Sequence, residues 1–128
     1  MNNTVEPPRG EPGEIVLAKT FCDRLREWKT RPILLVGPAP NGLLAYIGLT
    51  SVRLDCRGQP RQLFPCEPCL AGASYIWSPR THSLSKRKLA VHLGWISRRS
   101  LIELLPCLRL SRHEARILLV EGLKRAPE

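Results

Sequence analysis

The apolar residues of this chain fall into short runs bounded by proline, glycine and polar residues, a pattern that favours strands over long helices. The run at 32–37 (PILLVG) is too short for a core helix, and PAPNG separates it from the next run. Two runs joined by an Asn-Gly turn predict an antiparallel pair. The predicted strands are residues 14–19, 32–37, 43–52 and 74–77, and the last part of 83–96, which opens with a helical turn.

The segments between these runs predict loops. Residues 1–13 hold three prolines and two glycines with few apolar side chains, so we expect a flexible leader. Residues 20–31 form a polar connection that fits either a helical turn or a mobile loop. Residues 53–73 are rich in proline and glycine, which predicts a long loop with a short strand around 62–64.

Two helices are expected to close the chain, because a Ser-x-x-Glu signature opens each of them. The signatures are Ser100 with Glu103, and Ser111 with Glu114, and Pro106 interrupts the first helix. The second helix is predicted to pack through one apolar face. That face consists of Ala115, Leu118, Leu119 and Gly122. The predicted fold class is α+β, a small antiparallel barrel followed by C-terminal helices.

The net charge of the chain indicates what kind of partner it binds. The 128 residues, a length typical of one domain, carry 20 lysines and arginines against 11 acidic residues, a formal net charge of +9. No acidic residue occurs from Pro68 to Ile102. An anionic partner is therefore expected, either a nucleic acid or an acidic protein. The alternative is a basic surface that serves only solubility.

Membrane and disulfide classes are disfavoured. No apolar run is long enough to span a bilayer and the first residues lack the features of a signal peptide, so we expect a cytoplasmic protein with reduced thiols. Cys66 and Cys69 have the Cys-x-x-Cys spacing of zinc ligands, but no second Cys-x-x-Cys or His-x-x-x-His pair accompanies them. The main expectation is therefore a loop with two free thiols and no metal. Further ligands for the zinc alternative would be Cys56, Cys107, His82, His92 or His113.

Four segments, taken together, are similar to a known family. They are Gly-Glu-Ile-Val at 13–16, Lys-x-Arg-Pro-x-Leu-Leu-Val at 29–36, Leu-Thr-Ser at 49–51, and SYIW followed by THSLSKRKLAVHLGWIS at 81–97. In order and spacing they resemble the PemK/MazF family of toxin ribonucleases, over about residues 12–108. The resemblance implies an SH3-like barrel at 14–110 that dimerises. The C-terminal helix and tail at 111–128 are expected to be an addition to that fold. Ser78 and Pro79 stand where many members carry an acidic-glutamine or similar polar pair.

The resemblance also implies a site and a reaction. It places the catalytic arginine on Arg31 and the catalytic threonine on Thr50, with Ser51 beside it. The implied activity is endoribonuclease cleavage of single-stranded RNA by 2′-hydroxyl attack, with no metal or cofactor, controlled by an acidic antitoxin. The residues expected to contact RNA are Lys29, Arg53, Arg80, Lys86, Arg87 and Trp28.

Three questions stay open at this stage. Trp77 and Trp95 are expected to be buried, whereas Trp28 lies in the loop before Arg31 and is the better candidate for contact with RNA or antitoxin. His82 could carry a proton, although a solvated histidine is the plainer reading. Finally, the chain could be a basic nucleic-acid-binding barrel without catalysis, or a module that binds an acidic protein.

Overall fold

The computed structural model describes residues 6–22 and 25–127. These residues form an antiparallel sheet and two C-terminal helices, which confirms the α+β class. The strands are β1 (Glu14–Cys22), β2 (Glu27–Pro38), β3 (Leu44–Thr50), β4 (Tyr75–Ile76), β5 (His82–Leu84) and β6 (Leu89–Trp95). The helices are α1 (Arg98–Leu104) and α2 (Arg112–Arg125), and short 3₁₀ turns span Pro40–Gly42, Lys86–Lys88 and Leu105–Cys107.

Strand β3 organises one side of the sheet. The strand order is β4-β3-β2-β1-β6, and β5 also pairs with β3. The first half of β3 therefore pairs with β5, and its last two residues pair with β4. Between the described residues no pairing joins β6 to β4 or β5, so the sheet is open.

The polar connection at 20–31 is a hairpin, and the prediction of a helical turn or loop there is wrong. β1 continues to Cys22 and β2 begins at Glu27, with Phe21 directly opposite Trp28. The two rings pack edge to face with centroids 5.5 Å apart. Cross-strand aromatic pairs stabilise antiparallel strands, which explains why the ladder extends beyond the apolar runs.

Both faces of the sheet are covered. On one face, Leu34 and Ile47 belong to a core that includes Phe64 of the long loop and Leu118 of α2. On the other face, Ile33 and its neighbours pack with residues of β1, β3 and β5. Because side chains alternate between faces, a strand buried on both sides reads as a continuous apolar run. Leu35 and Val36 complete such a run with Ile33 and Leu34.

The helix starts agree only in part with their predicted signatures. The capping box of Ser111 and Glu114 at α2 is confirmed. At α1 the prediction is wrong, because Ser97 is the capping residue and its Oγ accepts the Ser100 backbone N–H at 3.2 Å. Glu103 instead pairs with Arg99 on the helix surface.

The long loop contains no regular strand around 62–64. Residue Leu63 makes only an isolated bridge to Tyr75. The Phe64 backbone N–H donates to the Ser74 carbonyl at 2.9 Å, and the buried Phe64 ring anchors the loop to the core. The short strand expected around 62–64 is therefore an irregular segment that the Phe64 side chain holds against the core.

The described part of the leader, residues 6–13, makes defined contacts, in contrast to the expected flexibility. The fully buried Glu14 carboxylate accepts the backbone N–H groups of Arg9 and Gly10 at 3.1 and 2.7 Å. The same carboxylate lies 2.6 Å from Nδ1 of His92. The His92 backbone N–H donates to the Glu6 carbonyl at 3.3 Å. Residues 1–5 of the predicted leader lie outside the described residues.

Gly13 joins this segment to α2, and its replacement by alanine is expected to lower the free energy of unfolding by about 1–3 kcal/mol. Its φ is +88°, and an added Cβ would lie 3.1 Å from Cα of Gly122. Denaturant unfolding of the wild type and the variant measures the loss. Gly42→Ala is the control, because its φ is +73° but an added Cβ would meet nothing within 4 Å. Equal losses in the two variants would contradict a close helix contact at Gly13.

Candidate functional site

Arg31 and Thr50 lie beyond the end of the β2–β3 ladder, whose last pair is Ile33 with Gly48. Arg31 belongs to the part of β2 that pairs with β1, and Thr50 is the last residue of β3. Both side chains border one cavity of about 780 Å³, which we name groove A. The remaining wall of groove A includes Lys29, Tyr46, Leu54, Asp55, Arg61, Trp77 and His82.

Trp77 forms one wall of groove A and contacts two guanidinium groups. Its backbone N–H donates to the Gly48 carbonyl at 2.8 Å, and its side chain packs against Gly48, where no Cβ intervenes. The guanidinium carbons of Arg31 and Arg61 lie 4.6 and 4.5 Å from the Trp77 ring centroid. Trp77 is 39% exposed, so the prediction that it is buried is wrong. The ring holds Arg31 by a cation–π contact while leaving the edge of the guanidinium to bind a ligand.

Arg61 is a groove residue that the sequence did not single out. Its Nη1 donates to the backbone carbonyls of Val52 and Leu54, the first at 3.1 Å. Its Nε is buried and has no hydrogen-bond partner among the described residues. These contacts fold the long loop back onto groove A. The sequence indicated only that the loop is basic. It could not indicate the contacts of Arg61, because they join residues seven to nine positions apart in a segment without regular structure.

Thr50 is buried, and its hydroxyl makes one side-chain hydrogen bond to the described residues. Oγ1 accepts the Val52 backbone N–H at 3.1 Å. A hydroxyl that accepts in this way can still donate its hydrogen to a ligand oxygen. Ser51 and Arg53 are exposed and follow Thr50 in the chain, but neither borders groove A as described.

Groove A is positively charged. Among the described residues, three cations border it, Lys29, Arg31 and Arg61, against one acidic residue, Asp55. A hydrogen bond from the Gln59 backbone N–H lowers the pKa of Asp55, and the Arg57 N–H and nearby arginines act in the same direction. That carboxylate is therefore ionised at neutral pH, and it accepts hydrogen bonds from the backbone N–H groups of Arg57 and Gln59. Three cations against one engaged carboxylate favour an anionic ligand.

Two side chains in groove A are relevant to proton transfer. Burial raises the pKa of the Tyr46 phenol, which therefore stays protonated at neutral pH. His82 lies opposite Tyr46 in the β3–β5 pair and is exposed. Histidine is the usual proton carrier near neutral pH. His82 thus borders the same groove as the predicted arginine and threonine.

A second cavity of about 790 Å³, which we name groove B, adjoins groove A. Thr20, Phe21, Tyr46 and His82 border both grooves. Trp28 borders groove B and is 54% exposed. Lys88, a residue without a predicted role, places Nζ 4.1 Å from the Trp28 ring centroid. Consecutive residues of β2, Trp28 and Lys29, therefore border different grooves.

The remaining predicted contact residues lie elsewhere on the surface. Arg80, Lys86 and Arg87 are exposed, and none borders either groove in the described chain. Trp95 is only half-buried, and the guanidinium carbons of Arg9 and Arg125 lie 5.9 and 5.8 Å from its ring centroid. The structure thus brings together Arg31, Thr50 and Lys29, sets Trp28 in the adjoining groove, and spreads the other basic residues more widely.

The Cys66–Cys69 segment lies against the sheet near Gly94. Cys66 is exposed, whereas Cys69 is half-buried. A Cβ added at Gly94 would lie 3.1 Å from Sγ of Cys69. Burial raises the pKa of the Cys69 thiol, and the charge of Glu67 raises it further. Within residues 6–22 and 25–127, no three His, Cys, Asp or Glu side chains converge as metal ligands.

Comparison of the chain with protein-family models, curated proteins and solved structures finds no match. Across the described ranges, no helix has the length and apolar character needed to cross a membrane. Functional inference therefore depends on the geometry and charge of the two grooves.

Proposed function

We propose that this chain is a metal-independent endoribonuclease toxin that cleaves single-stranded RNA in groove A. The observation that carries the proposal is that Arg31 and Thr50 border the same groove, whose described wall has a net positive charge. The proposal includes action in the cytoplasm, as in the PemK/MazF family that the sequence resembles. The nearest alternative is a basic groove that binds nucleic acid without cutting it.

The proposed reaction is attack of a ribose 2′-oxygen on the adjacent phosphorus. A bond forms between the 2′-oxygen and phosphorus, and the bond from phosphorus to the 5′-oxygen breaks, giving a 2′,3′-cyclic phosphate and a 5′-hydroxyl. Arg31 supplies a planar, fixed cation that pairs with two phosphoryl oxygens. Thr50 donates its hydroxyl hydrogen to the same group. Preorganised donors of this kind stabilise charge that develops in the transition state.

The reaction also requires a proton to leave the 2′-hydroxyl and another to reach the 5′-oxygen. Arginine is a poor base because it holds its proton very tightly. We assign the proton transfer to His82, the histidine that borders groove A. In its neutral form it accepts the 2′-hydroxyl proton, and as imidazolium it returns a proton to the leaving oxygen.

The proposal extends to an SH3-like barrel architecture and a homodimer. Val52, Leu54 and Leu63 expose between 40% and 56% of their surface on the long loop beside groove A. Exposed apolar side chains become buried when a contiguous group of them forms an interface. A second subunit on this loop would cover them and deepen groove A. An acidic antitoxin fits the same basic surface, given the net charge of +9.

The direct test is incubation of purified protein with single-stranded RNA in excess EDTA. We expect cleavage products that end in a 2′,3′-cyclic phosphate, because the chelator removes only chemistry that the proposal does not use. Induced expression is expected to arrest bacterial growth. Intact RNA together with normal growth would contradict the enzyme proposal. Salt-sensitive binding under those conditions would instead favour the non-catalytic alternative.

A further inference from the structure

We propose that groove B binds a nucleobase of the same RNA strand whose phosphodiester is cleaved in groove A, with Trp28 as its stacking surface. This inference rests on the proposed function and extends it to a second subsite. The candidate ligand is one unpaired nucleotide, base and phosphate together. Such a subsite would select single-stranded over double-stranded RNA, because a paired base cannot leave its helix without cost.

Two aromatic rings are exposed where β1 and β2 meet groove B. Trp28 is 54% exposed and Phe21 is 48% exposed, although the two pack edge to face across the hairpin. The edge contact orients both rings and leaves ring surface open to groove B. Unpaired bases bind proteins by stacking on exposed rings of this kind.

Lys88 supplies a cation at the same ring. Its ammonium lies 4.1 Å from the Trp28 centroid, and no carboxylate of the described chain is within ion-pairing distance of it. Lys88 ends the 3₁₀ turn that Ser85 caps, so its backbone position is fixed. A base that stacks on this ring face displaces the ammonium toward the phosphate of the same nucleotide. One lysine thus covers the ring in the free protein and pairs with phosphate in the complex.

The charges around groove B favour an anion. Glu114 is the only carboxylate on its wall as described, and both of its oxygens are engaged within the protein. Oε1 accepts the Ser111 backbone N–H at 2.9 Å, and Oε2 accepts the Thr81 hydroxyl at 3.0 Å. Lys19 and Lys88 add two cations to the wall. An acidic ligand therefore meets lysines rather than a free carboxylate.

Groove B adjoins the proposed cleavage site. His82 and three other residues border both cavities and lie between them. Trp28 and Arg31 are three residues apart on β2, so their side chains leave opposite faces of the strand. An RNA strand that occupies both grooves therefore passes over the residues that the grooves share, Phe21 and His82 among them.

The test uses a fluorescein-labelled 2′-O-methyl RNA oligonucleotide, which lacks the attacking hydroxyl and is not cleaved. Fluorescence anisotropy at fixed salt is expected to give a Kd about 5- to 150-fold weaker for Trp28→Ala than for wild type. Trp28→Phe keeps a ring and is expected to lose less. The matched control is Ile102→Ala, an exposed apolar residue of α1 that borders neither groove and is expected to bind within twofold of wild type. An abasic residue, moved along the oligonucleotide, should abolish the Trp28 effect at one position.

The possible outcomes separate this inference from the cleavage proposal. Weaker binding by Trp28→Ala, with no cleavage of the corresponding all-RNA strand by wild type, would support the subsite and contradict the nuclease. Cleavage by wild type with equal binding by Trp28→Ala and Ile102→Ala would overturn the subsite. The subsite would also be overturned if Trp28→Ala weakened the binding of an acidic peptide but not of RNA, since groove B would then be a protein-binding surface. Circular dichroism of each variant checks that the hairpin remains folded.

Discussion

Arg31→Ala is expected to lower the rate of RNA cleavage on the order of 100- to 1,000-fold, the loss typical of one preorganised transition-state donor. Arg31 lies partly exposed over Trp77, so removing its side chain leaves no cavity in either core. The free energy of unfolding is therefore expected to fall by no more than about 1 kcal/mol, the value of an exposed cation–π contact. Single-turnover cleavage of a defined RNA and denaturant unfolding measure the two quantities.

Two companion variants make the Arg31 result specific. Arg31→Lys keeps the charge but loses the planar fork, so its rate is expected to fall between those of wild type and Arg31→Ala. Arg99→Ala removes an equal charge from α1, where the side chain is 91% exposed and pairs with Glu103. It is expected to cleave at nearly the wild-type rate. Equal rate losses for Arg31→Ala and Arg99→Ala would mean that net charge, rather than a positioned guanidinium, drives the effect.

Glu14→Ala is expected to lower the free energy of unfolding by about 3–5 kcal/mol, because several donors lose their acceptor at a cost of about 1–3 kcal/mol each. The carboxylate is fully buried, accepts backbone N–H groups of Arg9 and Gly10, and lies 2.6 Å from Nδ1 of His92. Alanine leaves these donors without an acceptor inside the fold, which is far more costly than losing an exposed ion pair. Urea unfolding followed by circular dichroism measures the loss.

Glu11→Ala is the matched control for Glu14. Glu11 pairs with Arg125 near the surface, so its loss is expected to cost about 1 kcal/mol or less. Glu14→Gln retains one acceptor oxygen and is expected to lie between the two alanine variants. A Glu14→Ala loss no larger than that of Glu11→Ala would show that the carboxylate does not anchor residues 6–13.

Much of the sheet could be predicted, because its strands are continuous apolar runs. Ile33 to Val36 are buried on both faces, and local composition is enough to recognise such a run. The hairpin at 20–31 could not be predicted in this way. Its stabilising contact joins Phe21 to Trp28, and that contact exists only when the two strands are aligned.

The candidate site was likewise predictable only where its residues adjoin strands. Arg31 and Thr50 each adjoin a recognisable strand, so their proximity follows once those strands pair. Arg61 and Trp77 come together only because the long loop folds back on the sheet, a tertiary arrangement without a local sequence signal. At α1, Ser97 and Ser100 compete as caps, and the buried Glu67 decides for Ser97 by accepting its backbone N–H and its hydroxyl.

The contact between Glu6 and His92 has a consequence for solubility. β6 ends the strand order, so its outer side carries backbone groups that no strand of the described sheet pairs. Bare strands of this kind recruit other chains and promote aggregation. The Glu6 carbonyl accepts the His92 N–H on β6, and the Glu14 carboxylate holds the intervening residues in place. The segment before β1 thus also shields the protein against intermolecular strand addition.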